Sequence, residues 1–527
     1  MRATESLALM TGAQYRESLR RFKPVVYVDG KRIESVVDAP ELEPGVNALA
    51  LCYDVAHQEA AKPLSRAVQH TSGKEVNRFL HINTTSDDLL KKLELSRLVC
   101  QQTGCAQRYL SHDALNALFQ STFRTDAACG TDYHQRFLAY LHRVQDQDLT
   151  LGVAMTDAKG DRSLHPHAQP NLKAYVHIVE RRADGIVISG TKAIVTGAPY
   201  VHEFMVMPCR NMNEPDAAFA VCCAVPVDAP GVTIVARPAG RPGEKAAKFS
   251  AKYGQSTGVV FFENVFVPHE RVFLGGEWQH SLYLTQTYAT HHRHTCVGAR
   301  AGFGDLLIGA GALMCEANGL DPYEIGHLRD AMVDLIKLTE GFYACGVAAS
   351  VYNATDPSGS VMPDVVFSNI GKLLMTSQIY DMHRLAHHVS GGLIVTLPGP
   401  DEDHNPETAP RLADVLRANP TVPYDKRIET ARFIEDLTAS YQAGWYSVIT
   451  LHGGGSPDAM KREIMRNYPI GNNVDLVERL LERGVLADDP TRSITQNRQP
   501  GRCCDEGCKP PEKEPVLQFA AKPLLRA

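Results

Sequence analysis

Along the first 150 residues, apolar positions recur mostly at helical spacing, with one interruption near the start. Residues 25–28 (VVYV) and 32–37 read as short strands on either side of Asp29-Gly30. That dipeptide favours a tight hairpin turn, because both of its positions tolerate positive φ. Segments 87–99, 113–123 and 132–144 then place leucines and charges at a three-to-four-residue period, which predicts helices. Beyond residue 150 the texture changes. Short runs rich in Val, Ile and Phe lie at 175–179, 185–188, 202–207, 219–227, 232–236 and 258–267, divided by Gly, Pro, Asp and Asn. They predict the strands of a barrel or sandwich of roughly 120 residues. Helical spacing returns at 281–316, 325–352, 365–388 and 428–451, in pieces long enough for a bundle.

The pattern therefore predicts an α+β chain in four parts. Residues 1–150 form a mainly helical domain, 151–277 a central β domain and 278–487 a helical bundle, while 488–527 form an irregular tail. This order is not βαβ alternation, and no GxGxxG sits between a strand and a helix, which disfavours a Rossmann nucleotide site.

Composition narrows the picture only a little. At 527 residues the chain is too long for a single compact core. Its 44% apolar and 22% charged residues are ordinary for a soluble protein. A net charge of −6 gives no reason to expect nucleic acid or an anionic membrane as a partner. No run approaches 18 uninterrupted apolar residues, so no membrane span is expected. The first residues do not combine a charged segment with an apolar one, and cysteines such as Cys52, Cys222, Cys223, Cys315 and Cys345 sit in apolar contexts. Both features predict a cytoplasmic, reduced protein.

Five segments could carry chemistry. VAMTDAKGDR (153–162) places Thr156, Lys159, Gly160, Asp161 and Arg162 in one turn. A hydroxyl, backbone N–H groups and cations suit a flavin's dione edge and pyrophosphate, and equally an ordinary solvated turn. KAIVTGAPYVHEF (192–204) offers a second Thr-Gly turn at Thr196. In YATHHRHTCVGARAGFGD (288–305), a helix would put His292 and Cys296 one turn apart on one face. That is ligand spacing for zinc or an iron–sulfur cluster, with Cys100 and Cys105 as candidate partners; the other reading is a polar helix start plus a core cysteine. Gly453, Gly454, Gly455 and Ser456 in LHGGGSPDAM either approach a phosphate closely or form a helix C-cap and N-cap back to back. In the tail, Cys503, Cys504 and Cys508 offer three thiols to a metal.

Taken together and in order, these segments resemble the superfamily that contains 4-hydroxybutyryl-CoA dehydratase and the 4-hydroxyphenylacetate 3-hydroxylases. The resemblance runs from MTGAQYRESL at Met10 to just past Pro457. It is carried by AMTDAKGDR, ENVFVPHERVF (263–273), YATHHR, GGLIVTLP (391–398) and HGGGSP, and is nearest to the dehydratase branch. It implies an acyl-CoA dehydrogenase-like architecture: an N-terminal helical domain, a central β-barrel domain and a C-terminal helical bundle. It also implies a homotetramer with FAD between domains and a neighbouring subunit. Lys159, Gly160, Asp161 and Arg162 fall on the family's flavin loop, Thr196 on its flavin threonine, and 453–456 on its phosphate-contacting turn.

The dehydratase branch further implies a [4Fe-4S] cluster held by three cysteines and a histidine. His292 and Cys105 match, but Tyr109 and Ala299 stand at the other two cysteine positions. Cys296 replaces a tyrosine, and Thr257 and Ile449 replace two acid–base glutamates. A rearranged cluster on Cys100, Cys105, His292 and Cys296 is the alternative. The hydroxylases' phenol-binding Arg, Tyr and His fall near Leu110, Ala114 and Val153. The expectation is an FAD-dependent oxidoreductase of reduced-flavin monooxygenase type, supplied by a separate flavin reductase, with His292 and Cys296 as catalytic candidates. The alternatives are a dehydratase-like lyase or isomerase of a hydroxyacyl-CoA, and a non-catalytic flavin-binding relative.

Overall fold

The helix Ser86–Thr103 shows how local sequence fixes an element's limits. Thr85 caps its start in a reciprocal box with Asp88, and Gly104 ends it in the left-handed region at φ 68°. The computed structural model describes residues 9–105 and 107–483, so the tail and Cys503, Cys504 and Cys508 lie outside the described residues. Residues up to Tyr468 belong to one compact unit. The helix expected at 113–123 forms the middle of Tyr109–Cys129, and that expected at 132–144 covers nearly all of Tyr133–Asp146, with Asp132 as its cap.

The hairpin also forms, with Asp29 at φ 48° and Gly30 at φ 78°. It does not stay among the helices. Val25–Val28 pairs in parallel with Val232–Ala236, Val26 lying opposite Ile234. The first stretch thus lends two strands to a six-stranded sheet that continues through Thr257–Pro268, Gly185–Thr196 and His177–Arg182. Val272–Gly275, Val221–Pro226, Glu203–Val206 and Leu151–Ala154 make a separate four-stranded sheet. The expected barrel is therefore replaced, among the described residues, by two open sheets. The alternating runs announce strands, but closure depends on which edges meet, and the runs do not encode that.

Ser281–Ala317, Gly326–Val351 and Val365–Ser390 are the long bundle helices. The helix expected at 428–451 is instead two, Tyr424–Ala439 and Tyr441–His452. Ser440 turns extended at ψ 173°, and its hydroxyl accepts from Ala443 N, restarting the helix without any Gly or Pro to signal the break. Pro457–Asn467 follows. The separate helix Ile470–Arg483 exposes Val474, Val477, Leu480 and Leu481.

Ser281–Ala317 lies at the centre. By length and composition the stretch Trp278–Ala317 is apolar enough to cross a membrane, but 67% of its most apolar window is buried inside the protein. Two glycines let it press on Ser86–Thr103. A Cβ at Gly298 would stand 2.3 Å from Leu93 O, and one at Gly302 the same distance from Arg97 O. This close crossing brings Lys92 and Cys100 towards the polar stretch of the long helix.

Candidate active site

From Tyr288 to Arg300 every residue of the long helix is buried, although most are polar. Buried polar groups need partners, and here the partners form a chain. Cys296 Sγ lies 3.5 Å from His292 Nε2, and His292 Nδ1 lies 3.1 Å from Asp113 Oδ2. Asp113 comes from Tyr109–Cys129 and also accepts from Thr295 Oγ1 at 2.7 Å. Tyr288 stacks on the His292 ring at 5.4 Å, and Tyr109 lies against it at 5.8 Å. The Tyr109 hydroxyl is 3.9 Å from Cys296 Sγ.

Burial alone would push the Cys296 thiol up and the His292 imidazolium down. Each reverses the other's shift. The His292 charge and hydrogen bond, with Lys372 and Arg300 behind them, pull Cys296 down to about 6. Against its own desolvation, Cys296 and Asp113 raise His292 to about 9. Desolvation opposes ionisation of Asp113 too, yet bonds to His112 and His292 hold its carboxyl well below the ordinary range. At neutral pH the chain is a thiolate, an imidazolium and a carboxylate in line. A nucleophile or base, its proton carrier and an orienting carboxylate have this layout. Lys92, whose Nζ is buried without a hydrogen bond, is pushed down by burial to about 8.

A second arc closes around Tyr441–His452. Arg300 donates from Nε to Thr450 Oγ1 at 2.6 Å and from NH1 to the Tyr446 hydroxyl at 2.8 Å. Lys372 Nζ donates to Thr450 O at 2.6 Å, and burial pushes its amine down to about 7. The glycine turn does serve as back-to-back caps: Gly453 N bonds Ile449 O, and Ser456 Oγ accepts from Ala459 N. It also reaches the relay. Gly454 O accepts from Arg293 Nε at 2.9 Å, and a Cβ on Gly454 would meet His292 Cδ2 at 3.0 Å. Gly454 sits at φ 78°, where a side chain costs about 1–2 kcal/mol. Gly454→Ala is accordingly expected to lower stability by about that amount and to displace the His292 ring. Urea unfolding checks the first effect; a variant as stable as the parent would show the turn to be slack.

The sulfurs proposed for a cluster go different ways. Cys100 Sγ is 3.5 Å from the Tyr446 hydroxyl, and Cys105 Sγ donates to Gly254 O at 3.6 Å. Burial pushes Cys100 up to about 11 and raises Cys105 as well, so both favour the neutral thiol. The cavity beside Cys105 is lined by Thr103, Phe303 and Tyr446. A [4Fe-4S] cluster needs its ligands to converge on one shared space. Of these thiols only Cys296 is tuned to ionise, and Tyr109 fills the space beside it. Cys100 and Cys105 thus bond to Tyr446 and Gly254 rather than converging with His292 and Cys296 as cluster ligands would. At the two glutamate positions, Thr257 Oγ1 accepts from Trp445 Nε1 at 3.4 Å and Ile449 packs on the core.

The loop at 156–162 is built on Gly185–Thr196. Asp157 bridges Lys192, whose buried Nζ lies 2.7 Å from Asp157 Oδ1 and donates to Met155 O and Met207 O. Lys159 and Gly160 turn the chain at φ 74° and 53°. Lys159 N and Asp161 N are already committed, to Ala174 O and Gln169 Oε1. The loop thus presents the half-buried Thr156, the Lys159 charge and the exposed Arg162, rather than a ring of free amides. Arg162 pairs with no described carboxylate. Thr196, at the strand's end, lies opposite Thr257, the residue that Trp445 touches. This is the structure's link between the loop and the helix that carries Tyr446 and Thr450. A separate cleft of about 290 Å³, lined by Gly240, Arg241, Asp436 and Tyr441, involves none of the expected site residues.

Sequence reading placed His292 and Cys296 on one face but missed Asp113, Arg300 and Lys372, which set their charge. Asp113 lies in SHDALN, an acid within an apolar helix, and that was the one available signal.

The family model for the 4-hydroxyphenylacetate 3-hydroxylase N terminal matches residues 11–274, and that for its C terminal matches residues 282–482. The 4-hydroxybutyryl-CoA dehydratase/vinylacetyl-CoA-Delta-isomerase of Clostridium aminobutyricum is 35% identical over 486 residues, 89% of this chain and 99% of that protein. The 4-hydroxyphenylacetate 3-monooxygenase oxygenase component of Geobacillus sp. (strain PA-9) is 25% identical over 451 residues, 82% of this chain and 88% of that protein. Among solved structures, an oxygen-tolerant archaeal 4-hydroxybutyryl-CoA dehydratase from N. maritimus superimposes with a TM-score of 0.85 at 34% identity, over 91% of this chain and 96% of that one. The oxygenase component of a 4-hydroxyphenylacetate 3-monooxygenase complexed with FAD gives 0.81 at 22% identity, over 90% and 99%, and shares the fold.

Proposed function

Because this chain belongs to the 4-hydroxyphenylacetate 3-hydroxylase family, we propose that it is an FAD-dependent oxidoreductase of the reduced-flavin monooxygenase type. The observation that carries this reading is the buried Cys296–His292–Asp113 relay, beside Cys100 and Cys105 thiols that bond elsewhere. Redox chemistry is then left to the flavin. Thr156, Lys159, Gly160, Asp161, Arg162 and Thr196 would hold FAD, Lys159 and Arg162 bringing positive charge to it. FAD would supply electron transfer and, once reduced, oxygen activation. The protein's own part is proton handling. His292, gripped between Tyr288 and Asp113, carries a proton at Nε2, and Cys296 Sγ accepts one.

The same reading takes the architecture as acyl-CoA dehydrogenase-like and the working form as a cytoplasmic homotetramer served by a separate flavin reductase. Ten unpaired cysteines among the described residues support a reducing compartment. A dehydratase-like lyase or isomerase of a hydroxyacyl-CoA is the second reading, favoured by the 35% identity along 89% of the chain. Strictly anaerobic purification separates the two. The expected protein shows a flavin spectrum, no stoichiometric iron or sulfide, and no crotonyl-CoA from 4-hydroxybutyryl-CoA. Stoichiometric iron together with crotonyl-CoA would replace the first reading by the second.

A further inference from the structure

Just beyond the 156–162 loop, two histidines converge on one buried acid. His165 Nδ1 lies 2.9 Å from Asp216 Oδ2, and His167 Nδ1 lies 2.6 Å from Asp216 Oδ1. The donor atoms of all three residues lie within 4.8 Å of one another. Asp216 is fully buried, while the histidine side chains are 44% and 36% exposed, which gives an ion a path from solvent. From these observations we infer that His165, His167 and Asp216 form a binding site for a borderline divalent transition-metal ion such as zinc.

The chemistry of the donors selects this class. Two imidazoles and one carboxylate form a nitrogen-rich set suited to zinc, nickel or copper rather than to calcium or magnesium. With neutral imidazoles the three groups carry one negative charge, so a dication leaves the corner at +1. Metal bonds of about 2.0–2.1 Å at tetrahedral angles require donors about 3.3 Å apart, so the His–carboxylate separations of 2.9 and 2.6 Å must widen by roughly half an ångström. Both rings are part-exposed: His165 caps the short 3-10 turn Pro166–Ala168, and His167 lies within it.

The carboxylate is already oriented as a ligand should be. His167 N donates to Oδ1 and Asn213 N to Oδ2, both at 3.1 Å, a supporting shell of the kind that fixes ligating carboxylates. Asn213 caps the turn Glu214–Phe219, and its side-chain nitrogen lies 3.3 Å from His165 Nδ1. The consequence is positional. Gln169 clasps Asp161 through Asp161 N and O, and Arg210 holds Leu164 O, so an ion here would pin the whole stretch 161–169 to the turn Glu214–Phe219.

Zinc alone is the probe. Full-length protein stripped with a chelator is titrated with zinc by calorimetry, alongside His165→Ala/His167→Ala, Asp216→Asn and a Cys503→Ser/Cys504→Ser/Cys508→Ser variant. The expected result is one zinc per chain at this site, retained by the cysteine variant. The histidine pair and Asp216→Asn should weaken it by at least about tenfold, the loss caused even by a supporting residue. Zinc should also raise the Tm of the parent but not of the double-histidine variant, whose surface substitutions leave the core intact. Unchanged zinc affinity in the histidine variant, or loss confined to the cysteine variant, would overturn the site.

Discussion

Cys296→Ser is expected to lower turnover by about 10²–10⁴-fold, the usual contribution of one acid–base group, while flavin stays bound. Serine matches the shape of cysteine but does not ionise near neutrality, so the substitution removes an anion rather than a volume. It also removes the charge that holds His292 up at about 9. The effect should therefore show in the pH profile as well as in the rate. In the parent the thiolate–imidazolium pair exists above the Cys296 value of about 6 and below the His292 value of about 9. Activity should rise through the first and fall through the second, as a bell whose limbs belong to the coupled pair. In Cys296→Ser the acidic limb should disappear, and the alkaline one should move down towards an ordinary imidazole. His292→Ala tests the other half. Full turnover with flavin retained in that variant would remove the relay from the mechanism.

Asp113→Ala should destabilise the protein by about 3–5 kcal/mol, the cost of breaking a buried charge pair from one side. Asp113 is wholly buried and receives Thr295 and His292, with Lys92 contributing charge from the neighbouring helix. Removing it leaves two cationic groups facing a cavity. Asp113→Asn retains the shape and the Thr295 bond, and should lose less. The pH dependence has a definite sign. Asp113 is depressed in the folded state, so its contribution is complete above the ordinary carboxylate range and is lost as pH falls through the folded value. The gap between the parent and Asp113→Asn should therefore be widest at neutral pH and narrow in acid. Urea unfolding across that range measures it, and an alanine variant within about 1 kcal/mol of the parent would show that Asp113 carries no such charge.

Much of the fold was legible because its signals are local. Asp29-Gly30 specifies a turn, Thr85 and Asp88 cap a helix, and alternation marks Thr257–Pro268 as a strand. Hidden from the sequence were the relations between distant segments. Nothing in VVYV says that it will lie against Val232–Ala236, and nothing near Ser440 announces a break. The site follows the same rule. Helical spacing alone aligns His292 with Cys296, but their charges depend on Asp113, 179 residues away from His292, and on Lys372. The same limit applies to the thiols: Cys100 and Cys105 are close in sequence, yet one turns to Tyr446 and the other to Gly254.

The flanking of His292 by Tyr288 and Tyr109 has a chemical consequence for the lifetime of the protein. An ionised sulfur is the form that peroxide converts to sulfenic acid. Cys296 is only 4% exposed, with the Tyr109 hydroxyl 3.9 Å from its sulfur, so a bulky oxidant has little access to it. Oxidation of this thiolate would then be limited by access rather than by the intrinsic reactivity of the sulfur.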